Sequence, residues 1–133
     1  MSYLLDTDTF SMIAKQRSEA AAKRLHDVAE GDVAISVVTL AEVQFGLEIN
    51  PLHARVLRRI EALSRVVRAL PLGLEVVPHY ARLRALLQRQ GTPIGPNDLW
   101  LAAHALSADR TLVTGNEREF RRVPALRVEN WMR

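Results

Sequence analysis

The chain opens on Tyr3-Leu4-Leu5-Asp6-Thr7-Asp8, three apolar residues that run straight into a carboxylate, a hydroxyl and a second carboxylate. So short an apolar run reads as a strand buried on both faces, the kind found in parallel sheets covered by helices. Parallel strands need crossover connections, so the remainder has to alternate strands with helices. The same reading sets Asp6 at the strand's carboxyl end, where open α/β sheets place their ligands.

The rest of the chain supplies the alternation. A helix is expected over Ser18 to Glu30, with Ala21, Leu25 and Val28 on one face, and Gly31-Asp32 breaks it. Val33-Ala34-Ile35-Ser36 reads as a second buried strand, with Ser36 or Thr39 capping a helix whose apolar stripe is Leu40, Val43 and Leu47. Glu42 lies off that stripe. From Pro51 to Leu70 the apolar positions Val56, Ile60, Leu63, Val67 and Leu70 follow the helical period, with arginines on the other faces. Leu74-Glu75-Val76-Val77 reads as a third strand and Pro78 as the start of a helix with Tyr80, Leu83 and Leu87 inward. Pro96 suits the first position of a helix running to about Ala108. Thr111-Leu112-Val113 is a fourth strand, a helical turn follows through Phe120, and Leu126-Arg127-Val128 is a last strand. This order predicts one domain over residues 1–133, a three-layer α/β/α sandwich.

Composition narrows the chemistry. The chain has no cysteine, which excludes disulfides, thiolate zinc sites and a Cys nucleophile. No signal peptide or membrane span is legible, so a cytoplasmic protein with no membrane partner is expected. The net charge of +3 is carried by arginine, since Lys15 and Lys23 are the only lysines. Arginine forks suit phosphate, though a basic excess this mild is common.

Acids or amides stand at four strand ends or helix starts. These are Asp6 after strand one, Glu42 on the helix after strand two, Asp98 in the first turn of its helix, and Asn116 with Glu119 after strand four. A parallel α/β sheet brings such places to one edge. Two bare carboxylates about 4 Å apart repel by about 4 kcal/mol at an effective dielectric near 20, so a cluster takes up protons or a cation. An all-oxygen set selects a hard ion, magnesium or manganese rather than zinc. His26, His53, His79 and His104 form no pair with metal-ligand spacing.

Each residue also has a plainer reading. Asp6 serves equally as a helix N-cap, and Asp8 is better explained as one. Glu42 alone reads as a solvated helix residue, and Asp98, Glu117 and Glu119 as carboxylates favoured at helix N-termini. The arginines between Arg55 and Arg89 read as a solvated face, and Trp100 with His104 as packing or a subunit contact.

Four stretches together resemble PIN-domain ribonucleases, specifically the VapC toxins of type II toxin–antitoxin pairs. They are Tyr3-Leu-Leu-Asp-Thr-Asp8, Ile35 to Val43 with Gly46, Pro93-Ile-Gly-Pro-Asn-Asp98 with Ala102, and Leu112-Val-Thr-Gly-Asn116 through Phe120. The closing Arg127 to Trp131 adds to the likeness. The resemblance implies a five-stranded parallel sheet in order 3-2-1-4-5 and an endoribonuclease dependent on magnesium or manganese. It implies that Asp6 and Asp98 bind metal, that Glu42 is the second acidic position, and that Asn116 or Glu119 completes the site with Thr114 orienting it. It implies a homodimer, a cognate VapB-type antitoxin, a larger complex of the two, and an RNA substrate, transfer RNA among the options. Departures are Asp8 where asparagine is usual, Asn97 where an apolar residue is common, and Gly115 where the residue is bulkier. A non-catalytic RNA-binding or antitoxin-docking module on the same scaffold is the alternative; it needs a broken carboxylate position, and none is found. A metal-dependent phosphatase starting Asp-x-Asp is a third reading, weakened by the lack of a lysine after a core strand.

Overall fold

A computed structural model describes residues 1–51 and 53–133. The first strand, β1 (Tyr3–Leu5), is buried at every position and pairs in parallel with β2 (Val33–Ser36) on one side and β4 (Thr111–Val113) on the other. β3 (Arg68–Leu70) lies beside β2, and β5 (Val128–Glu129) beside β4, giving the order β3-β2-β1-β4-β5. The registers Leu5↔Ile35 and Leu5↔Val113 align the strand ends, so Asp6, Ser36 and Thr114 each come one step past a paired residue.

Alternation along the strands divides the core in two. Tyr3, Leu5, Val33, Ile35 and Val113 face α1 (Thr7–Ala14), α2 (Glu19–Asp27), α3 (Val37–Ile49) and α4 (Ala54–Val66), where Phe10, Ile13 and Ile60 pack. Leu4, Ala34 and Leu112 face the opposite way, onto α5 (Val76–Arg89), α6 (Pro96–Ser107) and the short α7 (Glu117–Phe120). Leu4 and Leu5 are fully buried on opposite faces. Burying such a side chain stabilises by about 1.5–3 kcal/mol, which holds the first strand rigidly under Asp6.

Ser18 caps α2, accepting from the Ala21 amide at 3.1 Å, and α2 stops at Asp27, short of the expected Glu30. Ser36, rather than Thr39, caps α3 by accepting from the Val38 amide at 3.1 Å. Pro96 takes the first position of α6 as expected.

Two expectations fail in the middle of the chain. The helix expected from Pro51 to Leu70 spans Ala54–Val66, and its last expected turn is strand β3; Leu52, inside that stretch, lies outside the described residues. Val67 and Leu70 continue the helical spacing from Ile60 and Leu63, so periodicity alone cannot show where the chain extends. The strand expected at Leu74–Val77 is a turn leading into α5, with Val76 and Val77 its first two residues. Pro78 is tolerated there because first-turn amides have no partner in the helix. Near the C-terminus β5 falls on Val128–Glu129, two residues later than expected.

Candidate active site

Asp6 ends β1 and begins α1. Its Oδ1 accepts the Thr9 amide at 2.8 Å, so it caps α1 and leaves its second oxygen for other work. The helix-cap reading of Asp6 therefore holds, and Asp8 is an exposed first-turn residue, not the cap. Asp6 is 6% exposed, and burial raises its pKa despite the Thr114 hydroxyl and the Thr9 amide, which favour the ionised form.

Glu42 reaches the same edge from the second turn of α3 and is half-buried. The Thr7 hydroxyl donates to its Oε1 at 2.6 Å. The buried Thr39 hydroxyl lies 3.2 Å from Thr7 Oγ1. Since Thr7 has one proton and gives it to Glu42, Thr39 donates to Thr7, making a two-hydroxyl chain that fixes the carboxylate. Nothing in the spacing of residues 7, 39 and 42 announces this contact, which depends on α1 packing across α3.

Asp98 is the third residue of α6, where its charge meets the amino end of the helix. The Gly95 amide, just before that helix, donates to Glu119 Oε1 at 3.0 Å. A Cβ built on Gly95 would stand 3.6 Å from Asp98 Oδ2 and 4.0 Å from Glu119 Oε1, so the two acids share the space over this glycine. Asn116 Nδ2 donates to Glu119 Oε2. The Asn116 amide in turn donates to Thr114 Oγ1 at 2.9 Å. Asn116 and Glu119 thus act together: the amide holds the acid, and the acid faces Asp98. At Gly115 a Cβ would press on the Met132 methyl at 2.5 Å, because the C-terminal segment folds back over this turn.

The Asp98 pKa is pushed from 3.8 to about 7, first by burial and then by the charges of Glu119, Asp6 and Glu42. A hydrogen bond from the protonated Asp98 to Glu119 adds to it. Asp98 thus feels three carboxylates carried by three other elements, all at the carboxyl edge of the sheet. Among the described residues, no three acids or histidines stand close enough to form a finished metal cage. The donor set is nonetheless all oxygen, crowded and short of positive charge, which fits a hard divalent ion and not zinc.

His104 is buried with Nδ1 2.8 Å from Ser36 Oγ, and burial lowers its pKa. It ties α6 to the cap of α3 and stands apart from the acids as a packing residue. Trp100 stacks on Tyr80, with centroids 3.8 Å apart and 15° between the rings.

A covered parallel sheet with acids beyond its central strands defines an α/β protein with an acidic carboxyl edge. The sequence pattern of the PIN domain matches residues 3–126, and the chain belongs to that family, within its VapC group. It is 35% identical over 132 residues to "Ribonuclease VapC1" of Haemophilus influenzae strain R2866, covering 98% of each chain. It is 35% identical over 131 residues to the "tRNA(fMet)-specific endonuclease VapC" of Shigella flexneri, again covering 98% of each. The fold matches VapBC2 from Rickettsia felis, solved bound to a DNA fragment from its promoter. The TM-score there is 0.91 at 30% identity, over 98% of this chain and 99% of that one.

Proposed function

We propose that this chain is the toxin of a VapBC-type pair, an endoribonuclease dependent on magnesium or manganese that hydrolyses RNA phosphodiester bonds, with transfer RNA its substrate. The observation that carries the reading is Asp98 at the carboxyl edge of the sheet, its pKa pushed up by burial and by the charges of Glu119, Asp6 and Glu42. Relatives over the whole chain are named ribonucleases and an endonuclease.

Asp6, Asp98, Glu42 and Glu119 are the residues that would hold the ion. When bound, such an ion offsets the carboxylate charge, stabilises a phosphoryl oxyanion and acidifies water. The chain's own contribution is position and protons. The Thr7 hydroxyl keeps Glu42 pointed into the pocket, and the Gly95 amide with Asn116 does the same for Glu119. An ionised Glu42 or Glu119 is suited to take the proton of the attacking water. With such an ion bound, Asp98 would be held in its ionised form. Thr114 keeps Asp6 ionisable, since its hydroxyl favours the carboxylate form.

The same pocket that attracts a cation attracts a guanidinium, so a basic side chain from an antitoxin is the fitting inhibitor. The solved relative in complex with its VapB partner supports a cognate antitoxin, and a homodimer inside the larger complex belongs to the same proposal. The test is cleavage of transfer RNA by the antitoxin-free protein and by Asp6→Asn. The substitution should keep the circular dichroism of the folded protein, since asparagine caps a helix as well as aspartate, and reduce cleavage at least a thousandfold. A well-folded Asp6→Asn that cuts at the native rate would refute the assignment.

A further inference from the structure

Beside the acid pocket, on the far side of the Pro93–Pro96 loop, lies a cleft of about 260 Å³ between α5 and α6. Its walls include Tyr80, Arg84, Gln88, Ile94, Pro96 and Leu99. We infer that this cleft receives one base of the RNA strand flanking the scissile linkage, an inference that rests on the ribonuclease reading above.

Proximity is the first argument. Pro96 lines the cleft and is two residues before Asp98 on the same helix, roughly 3 Å along its axis. Gly95, between cleft and pocket, binds Glu119 through its amide. The loop is therefore a thin wall, with the acids on one side and the cleft on the other.

The lining is the second. Ile94, Pro96 and Leu99 offer apolar surface to a ring face, while the Gln88 amide and Arg84 guanidinium supply donors and an acceptor for a base edge. Tyr80 is held against Trp100, so its ring is fixed before any ligand arrives. Arg84 donates to the Tyr80 hydroxyl at 2.9 Å, with its guanidinium carbon 5.9 Å from the ring centroid. Arg122 donates to the Pro93 carbonyl at 3.2 Å, which brings a second cation to this loop.

Charge is the third. RNA brought to a carboxylate cluster needs compensating cations on its backbone, and Arg84 and Arg122 stand where the strand would leave the acids. An acidic peptide would find the same cations but no use for an apolar slot of Ile94, Pro96 and Leu99 with a polar edge. The Arg84 guanidinium, exposed and steadied by the Tyr80 hydroxyl, is a surface on which an unpaired base stacks.

The test is binding of fluorescein-labelled hexa-adenylate, hexa-uridylate and an abasic ribose-phosphate hexamer to the full chain carrying Asp98→Asn, which holds RNA uncut. Base-bearing hexamers should bind about tenfold more tightly than the abasic one, the gain from one seated base. Adding Gln88→Trp, which fills the mouth, or Arg84→Gln should abolish that preference, whereas Arg89→Gln, exposed on the same helix outside the cleft, should keep it. Both cleft positions are exposed, and melting curves check that the variants fold. Equal binding of the abasic hexamer, or a preference that survives both cleft substitutions, overturns the inference. Failure of the unsubstituted protein to cut RNA, with base-dependent binding intact, counts against the ribonuclease reading and leaves the cleft assignment standing.

Discussion

Glu119→Gln is the substitution whose consequence can be worked furthest. Asp98 titrates near 7 instead of 3.8 because it is buried and because Glu119, Asp6 and Glu42 face it, with Glu119 the largest of the three charges. Two unit charges about 4 Å apart interact by about 1 kcal/mol in water and about 4 kcal/mol at an effective dielectric of 20. Asp98 is half-exposed, so the lower part of that range applies. Neutralising Glu119 should then lower the Asp98 pKa by about one unit, since one unit is about 1.4 kcal/mol. The sign for stability follows from linkage. A carboxyl whose pKa is raised by folding contributes stability fully below its unfolded value, and that contribution is lost as pH climbs through about 7. Chelator-treated Glu119→Gln should therefore gain stability relative to the parent at pH 8, and the gain should shrink towards pH 4. Carbon-detected NMR of the Asp98 carboxyl gives the pKa, and melting at the two pH values gives the stability. An Asp98 that still titrates near 7 in the variant, or equal stability changes at both pH values, would refute the claim that the two acids share one pocket.

Other consequences follow from the same contacts. Thr7→Val removes the donor to Glu42 and should cost about 1–2 kcal/mol in urea unfolding, with a fall in RNA cleavage that Thr7→Ser restores. Phe10→Ala empties the fully buried contact of α1 with the sheet and should cost about 3–5 kcal/mol, read as a lower urea midpoint. Gly115→Ala should destabilise only slightly, because its new methyl meets the flexible end of Met132, and Met132→Ala should erase even that difference in melting.

What the sequence disclosed and what it hid have separable physical causes. The strands bearing Asp6, Ser36 and Thr114 were legible because each is a short, wholly apolar or β-branched run followed at once by a polar residue. Pro96 marked the start of α6 and hence the place of Asp98. The exposed edge strand β3 was not legible, since its residues keep the helical spacing of α4 and it buries little of its own. Val76 and Val77 suggested a strand, but a following proline is compatible with a helix in its first turn. Asp8 reads as the cap because spacing alone does not say whether the helix begins after Asp6, which takes the Thr9 amide, or two residues later after Asp8. The clamp of Thr7 on Glu42, and the division of labour between Asn116 and Glu119, exist only through packing between elements distant in the chain.

Cation-dependent cutting of RNA by the antitoxin-free protein tests the whole account in one tube. Transfer RNA should be cleaved with magnesium present, spared when chelator is in excess, and cleaved again when manganese is restored, with Asp98→Asn inactive throughout. Cutting that continues undiminished in chelator would mean that the four carboxylates do something other than hold an ion against a phosphodiester.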